Sequence, residues 1–243
     1  MTVLSQAAPA NRLLALLPVS VVAACERIEL KFADVLSESG EQVEHVYFPV
    51  DSFISLITTL DDHNRLEVGI VGDEGMFGVS LVLGIKLASH HAVVQGAGLA
   101  LRMSTATFAR HLNKNLLFRK ELHRYVYVLM QQLALTAACS HYHDTPERLA
   151  RWLLLTRDRA HADHFRLTHE FLAYMLGVRR VGITEAATAL QKRGLIEYRR
   201  GQIVILNSPG LQKASCSCYR QATHLYEQTM SAPRGKPGRN ALQ

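Results

Sequence analysis

Two kinds of hydrophobic spacing divide the chain. From about residue 28 to 103, apolar and polar side chains alternate in short runs, as in "EHVYFPVDSFISLITTL", "RLEVGIVGDEG" and "HHAVVQGAGLALRM". Each run closes on Gly, Asp or a Pro-Val-Asp-Ser turn. Period-two runs with turn signals at this spacing predict short strands folded into a small roll, barrel or sandwich. Beyond Ser104 the spacing lengthens. Residues 115–140 hold no Gly or Pro, and Leu122, Val126, Leu129, Leu133 and Thr136 step by 4, 3, 4 and 3. That is the spacing of a coiled-coil seam, on a helix about 37 Å long at 1.5 Å per residue. The expectation is a homodimer paired along this stripe; the competing reading is a core helix of a single chain.

Asp144-Thr-Pro-Glu147 ends that helix and starts another, with Pro146 in the first turn and Asp144 or Thr145 at the cap. Leu149, Trp152, Leu153 and Leu155 form its inner side, and "RAHADHF" reads as a polar loop. Thr168 then caps a helix over 168–176, with Glu170 in its first turn. Gly177 supplies a turn residue that tolerates positive φ, and a second helix runs over about 179–192. Helix, glycine turn, helix is the helix-turn-helix pattern. On a 100° wheel, Ile183, Ala186, Ala187 and Leu190 point inward, leaving Arg180, Val181, Thr184, Glu185 and Thr188 on the opposite face. "LIEYRRGQIVIL" follows as a hairpin turning around residues 199–202, which gives the winged form of the motif.

Charge sharpens this picture. The 243 residues carry a net +6. From Pro146 onward there are 16 Lys/Arg against 7 Asp/Glu, whereas residues 1–145 have 11 against 14. A basic half joined to a slightly acidic one suggests a nucleic-acid module attached to a sensing module. Arg179 and Arg180 stand at a helix N-terminus, where the dipole disfavours cations by at most about 1 kcal/mol. A bidentate arginine contact to guanine is worth about 1–3 kcal/mol of discrimination, so the magnitudes favour a DNA role. Arg180, Val181, Thr184 and Glu185 are the candidate base-reading residues. Thr168, Arg179, Thr188 and the wing arginines Arg199 and Arg200 are the candidate phosphate contacts. Gly182 in the second helix leaves room for a close approach of DNA or a neighbouring helix.

Cys25, Cys139, Cys216 and Cys218 are sparse and unevenly spaced, which fits a reducing cytoplasm and no disulfide framework. "LLALLPVSVVAAC" after Arg12 imitates a short export segment, but Pro18 splits it and no basic residue precedes Arg12, so two short packing helices are expected. No apolar run reaches the length of a membrane span. His141, His143 and Asp144 with His161 and His164 are candidate metal ligands, but helix-end and loop histidines are ordinary, and no metal is expected. Cys216-Ser-Cys218 reads as partly buried thiols on a terminal helix, too isolated for structural zinc. No nucleophile elbow, phosphate loop or paired-carboxylate motif is present, so an enzyme is not expected.

With motif, wing, long helix and β-rich front in place, the chain resembles the Crp/Fnr superfamily of transcription regulators over about residues 11–230. "LTHEFLAYMLGVRRVGITEAATALQKRGLIEYRRGQIVIL" carries the resemblance most specifically; "PERLARWLL", "VYFPVDSFISLI" and "GDEGMFG" agree with it. It implies an α+β fold: an N-terminal, jelly-roll-like double-stranded β-roll (residues 1–114) of the cyclic-nucleotide-binding type and a dimerisation helix (115–143). A winged helix-turn-helix (144–230) and a disordered tail (231–243) complete it. It further implies a homodimer on near-palindromic double-stranded DNA, with RNA polymerase as a further partner. By position, Arg180, Val181 and Glu185 occupy the base-reading places. Val181 stands where many members have glutamate and Glu185 where a basic residue is common, so the operator is expected to differ. The effector pocket would involve Glu74, Gly75, His90 and His91. Where cyclic-nucleotide binders carry an Arg-Ser/Thr pair, this chain reads Ser89-His90-His91-Ala92, so cyclic nucleotide is not expected. An iron–sulfur cluster is not expected either, because Cys25 alone lies in the N-terminal region, and the cofactor stays unidentified. The alternative from a different class is a ligand-binding regulatory subunit docking its basic half on a protein or anionic surface.

Overall fold

A computed structural model describes residues 11–60 and 65–231. Apart from Ser231, the tail assigned to 231–243 lies outside them. The segment after Arg12 forms a 3-10 turn at Leu14–Leu16 and the short helix α1 (Val19–Val22). Leu13, Leu14, Leu17 and Val21 are buried, so this stretch is packing surface, as its pattern predicts. Asn11 anchors it: its amide donates to the carbonyls of Pro49 (2.7 Å) and Gly75 (2.9 Å).

Seven strands follow: β1 (Glu26–Leu30), β2 (Val35–Ser37), β3 (His45–Pro49), β4 (Phe53–Thr59), β5 (Arg65–Val71), β6 (His91–Gly96) and β7 (Gly98–Ser104). They form two antiparallel sheets in the orders β1-β7-β3 and β2-β6-β4-β5. The alternation seen in the sequence becomes a face: Val46 and Phe48 on β3 point inward with Ile54, Val71, Ala92, Val94 and Met103. Side chains at alternate positions share one face of a strand. This is the expected β-roll. Ser104 then caps α2 (Thr105–Lys114) by accepting from the Thr107 N–H at 3.3 Å. Asn115 caps the long helix α3 (Leu116–Tyr142) by accepting from the Phe118 N–H at 3.0 Å. Separate caps at Ser104 and Asn115 explain why the helical stretch starts twice.

Helix α3 turns part of the expected seam toward its own chain. Leu122 is fully buried in its own chain, packed with Phe118, Tyr125 and Val128 against the roll. Val126 and Leu129 lean on the same core, and the Thr136 hydroxyl accepts from Arg151 at 3.1 Å. The exposed apolar stripe instead runs through Leu116, Tyr127, Met130 and Leu133. Only Leu133 belongs to both. The 4-3-4-3 spacing identified an amphipathic helix, but it could not tell which partner the apolar side meets, because the roll demands the same periodicity as a second helix.

Helix α4 (Thr145–Ala160) starts after two non-helical residues, His143 and Asp144. Asp144 takes the cap position through its backbone and makes no side-chain cap bond. "RAHADHF" is more than a loop: His164–Arg166 forms strand β8, paired with the wing. Next come α5 (His169–Leu176), α6 (Arg180–Lys192), the wing strands β9 (Ile196–Arg199) and β10 (Gln202–Ile205), and α7 (Ser208–Ala214). A second core gathers Leu149, Leu153, Leu172, Ile183, Leu190, Ile196, Ile203 and Leu211, together with Phe53, Ile57 and Ile70 from the roll. The C-terminal unit is therefore docked on β4 and β5.

The final helix α8 (Cys218–Met230) starts in that unit, where Tyr219 joins the second core and donates to Asp158 of α4 at 2.8 Å, and then runs out of it. It packs along α3, Met230 enters the first core, and the Tyr226 hydroxyl donates to the Glu74 carbonyl at 2.7 Å. Helix α8 therefore bridges the winged unit and the roll, with Tyr219 in the second core and Met230 in the first. Among the described residues, no helix is long and apolar enough to cross a membrane.

Candidate nucleic-acid interface

The helix-turn-helix is assembled by local rules. Thr168 accepts from the Phe171 N–H at 3.1 Å, so α5 begins at the predicted cap. Gly177 ends it at φ +61°, ψ +42°, a left-handed conformation that a side chain would strain. The N–H groups of Gly177 and Val178 close back on the carbonyls of Tyr174 (3.3 Å) and Ala173 (3.0 Å). That turn sets α6 across α5. Ile183, Ala186, Ala187 and Leu190 are buried beneath α6.

The opposite face of α6 is open. Arg179, Arg180, Val181, Thr184, Glu185 and Thr188 are all exposed, with Val181 at 66%. Among the described residues, little covers this apolar side chain. Thr184 and Thr188 bond back to the carbonyls of Arg180 (3.1 Å) and Thr184 (2.7 Å). Gly182 has open space around it: a Cβ there meets nothing within 4 Å. It therefore serves no close helix packing.

A residue missing from the sequence reading stands beside this face. His169, the first residue of α5, stacks on the Tyr198 ring of the wing at 4.2 Å between centroids and 20° between planes. Its Nδ1 lies 2.9 Å from the Thr184 hydroxyl. It thus ties the start of α5, the middle of α6 and the wing together. Burial, and secondarily the Arg180 charge, hold its pKa below the ordinary histidine value, which favours the neutral ring. Nothing in the linear spacing of residues 169, 184 and 198 announces this contact.

The wing turns at residues 199–202, as its sequence predicts. Arg200 and Gly201 both have positive φ (49° and 77°), and β9 and β10 pair from Arg199–Gln202 to Ile196–Ile205. Two central residues with φ > 0 make the hairpin turn whose twist matches its strands. Arg199 and Arg200 are exposed at the tip. The chain thus offers anions a helix N-terminus with two arginines and a hairpin tip with two more.

The candidate effector residues separate. Glu74 is buried and pairs with Arg159 of α4 at 2.7 Å. Gly75 lies against Tyr125 of α3, where a Cβ would overlap the ring, and the Tyr125 hydroxyl accepts from the Met76 N–H at 3.1 Å. His91 instead meets Glu38 at 2.9 Å, and His90 meets Ser89 at 2.8 Å. Glu74 lines a cleft of about 650 Å³ with Arg12, Asp73, Arg157 and Tyr226. A second buried carboxylate, Glu67 on β5, accepts from Trp152 Nε1 of α4 at 2.7 Å and from the Ser55 hydroxyl at 2.6 Å. Desolvation pushes its pKa up to about 7, although these bonds and the Arg159 and Arg151 charges pull the other way.

The proposed histidine constellation does not gather. His141 meets the Tyr142 ring edge-on, His161 faces Asp73 at 3.6 Å, and His143 meets Cys218 at 3.6 Å. The expectation of isolated thiols is overturned as well. Cys139, Cys216 and Cys218 form a buried cluster of their own, apart from both cores. A hydrogen bond with Cys216 holds the Cys139 thiol below its ordinary pKa, and the same contact pushes Cys216 up.

A β-roll, a long helix and a winged helix-turn-helix with an open basic face define a two-part protein. Residues 147–214 match the family model described as the Crp-like helix-turn-helix domain. Among solved structures, FixK2 from Bradyrhizobium japonicum aligns with a TM-score of 0.67 at 16% identity, over 79% of this chain and 98% of that one. A CRP/FNR-family transcriptional regulator from Thermus thermophilus gives 0.63 at 19% identity, over 78% and 98%. The c-di-GMP responsive global regulator CLP of Xanthomonas campestris gives 0.60 at 16%, over 76% and 95%. No curated protein matches the sequence significantly. The chain carries a Crp-like helix-turn-helix domain on the fold of the Crp/Fnr regulators.

Proposed function

We propose that this protein is a sequence-specific transcription regulator that binds near-palindromic DNA as a homodimer. The observation that carries the reading is the open outer face of α6, with Arg180 in its first turn and Val181 66% exposed. In this reading α6 enters a major groove, where Arg180 reads guanine, Val181 meets a thymine methyl and Glu185 accepts from cytosine. Thr168, Arg179, Thr188, Arg199 and Arg200 hold phosphates, supplying affinity and register without sequence information. Two copies pair along the exposed stripe Leu116, Tyr127, Met130 and Leu133 of α3. Their recognition helices then meet half-sites about 34 Å apart. RNA polymerase is the natural further partner of such a complex. The effector stays unassigned, because Glu74 and Gly75 lie apart from His90 and His91.

A salt-titrated gel shift with duplex from the promoter of the protein's own gene tests this. The regulator reading predicts a discrete band that survives competitor DNA and weakens steeply with salt. A smear that competitor abolishes equally at every sequence would support the alternative of a regulatory subunit with a merely basic surface.

A further inference from the structure

Four side chains with metal-binding chemistry meet at the joint between the long helix and the DNA-binding unit. Cys139 lies on the last full turn of α3 and His143 directly follows that helix. Cys216 and Cys218 flank the start of α8, brought back to the same point after the wing and α7. The three sulfurs and a His143 ring nitrogen all lie within 4.8 Å of one another. The Cys139–Cys216 sulfurs are 3.5 Å apart, and Cys218 Sγ is 3.6 Å from His143 Nδ1.

These distances have a specific meaning. Zinc bound at about 2.3 Å to sulfur and 2.0–2.1 Å to nitrogen in a tetrahedron places S–S edges at roughly 3.8 Å and S–N edges at roughly 3.6 Å. The Cys139–Cys216 and Cys218–His143 separations match those edges, and the remaining pairs stay within 4.8 Å. A disulfide needs about 2.05 Å between sulfurs, far less than the Cys139–Cys216 spacing. An iron–sulfur cluster distributes its cysteines over separate irons, which is too wide for ligands this close. Exposure agrees: the cysteines are 1%, 4% and 3% accessible, so a bound ion would be closed off from solvent. Charge agrees too. Three thiolates around a divalent ion leave one net negative charge. Arg151 acts electrostatically on all three sulfurs, and Arg148 on those of Cys139 and Cys216. Among the described residues, the Arg151 Nε is buried without a hydrogen-bond partner, so its charge is poised for a nearby anion.

We propose that Cys139, His143, Cys216 and Cys218 form a Cys3His site for a thiophilic divalent cation, zinc above all, which clamps the joint between α3 and the DNA-binding unit. Four protein ligands leave no open position, so the ion is structural rather than hydrolytic. Soft thiolates in a tetrahedral set select zinc over calcium, magnesium or manganese. His143 and Asp144 are the two residues between α3 and α4. An ion held by Cys139 and His143 on one side and by Cys216 and Cys218 on the other ties that joint to the far end of the winged unit. Its consequence for DNA binding rests on the regulator reading above: with the ion removed, α6 loses its fixed orientation relative to α3. Because the ligands must be deprotonated, metal affinity falls as pH falls.

Metal content is read without DNA, which separates this proposal from that reading. The untagged full chain, purified under reducing conditions, is loaded with zinc, desalted and assayed by mass spectrometry of the metal. Cobalt then replaces zinc for absorption spectroscopy. The site predicts about one zinc per chain and the charge-transfer and ligand-field bands of tetrahedral cobalt bound by thiolates. A Cys25→Ser control keeps both, whereas the Cys216→Ser plus Cys218→Ser variant loses them. Should that variant not fold, His143→Ala in a zinc-competition titration provides the check, with an expected loss of at least about tenfold in affinity. Reduced protein that retains no stoichiometric metal overturns the site, as does zinc content independent of these cysteines. A Cys139–Cys216 disulfide in the native protein, seen as a loss of two hydrogens by intact mass, overturns it as well.

Discussion

Glu67 is the buried carboxylate whose protonation the fold controls most directly. It lies on β5 of the roll but accepts from Trp152 of α4, so it sits in the seam between the roll and the DNA-binding unit. Its pKa is raised from an ordinary 4.5 to about 7, and the residue is only 7% exposed. Because the folded pKa lies above the unfolded one, the native state holds the proton more tightly. The proton-linked stability is complete below pH 4.5 and is lost as pH rises through about 7. At about 1.36 kcal/mol per unit, the full contribution is on the order of 3 kcal/mol, with most of it lost between about pH 5 and pH 8. Glu67→Gln keeps an acceptor for Trp152 and removes the titration. Equilibrium urea unfolding at a series of pH values, followed by fluorescence, measures the difference. Trp152 is the chain's single tryptophan, so the probe sits at the site. Wild type minus variant stability should fall by roughly 2–3 kcal/mol from about pH 5 to pH 8. Parallel curves for the two proteins, or a difference that grows with pH, would refute the reasoning.

Other expectations follow from the geometry. Gly75→Ala should destabilise by about 1–3 kcal/mol in the same urea assay, because the new methyl overlaps Tyr125; an unchanged midpoint would mean the roll yields there. Met130→Glu with Tyr127→Glu places charge on the exposed stripe of α3. Sedimentation should show a shift from dimer to monomer with the fold retained, and an unchanged dimer would move the interface elsewhere. Arg199→Ala with Arg200→Ala should weaken binding to all duplexes and reduce the salt slope by about 2, since each lost phosphate contact removes roughly one released counterion. A slope that stays the same takes the wing off the phosphates.

Much of the architecture was legible in the sequence because its determinants are local. Alternation in "VYFPVDSFISLI" made strands, Thr168 and Gly177 bounded α5, and Arg200-Gly201 turned the wing. The inward side of α6 also followed from its own periodicity. What escaped the sequence depends on encounters between distant residues. The stripe on α3 was visible, but whether Leu122 meets the roll or a second chain depends on where the roll lies. His169 stacks on Tyr198 across 29 positions, and Trp152 reaches Glu67 across 85. The thiols show the limit most clearly. Cys139 and His143 are one helical turn apart, and Cys216 and Cys218 form a short pair, yet neither pair alone suggests a site. Only the return of α8 onto α3 joins them, and the long stretch between holds no hint of that return.

The central claim is that the outer face of α6 reads bases. Selection of bound sequences from a random duplex pool tests it directly, using wild type and Arg180→Ala in parallel. The account predicts that wild type enriches an inverted repeat with half-site centres about 10 base pairs apart, or a multiple of that spacing. The alanine protein should lose preference at one symmetric pair of G·C positions, at a cost of about 1–3 kcal/mol there. Enrichment of no motif, or of the same motif with undiminished preference by the alanine protein, would contradict it.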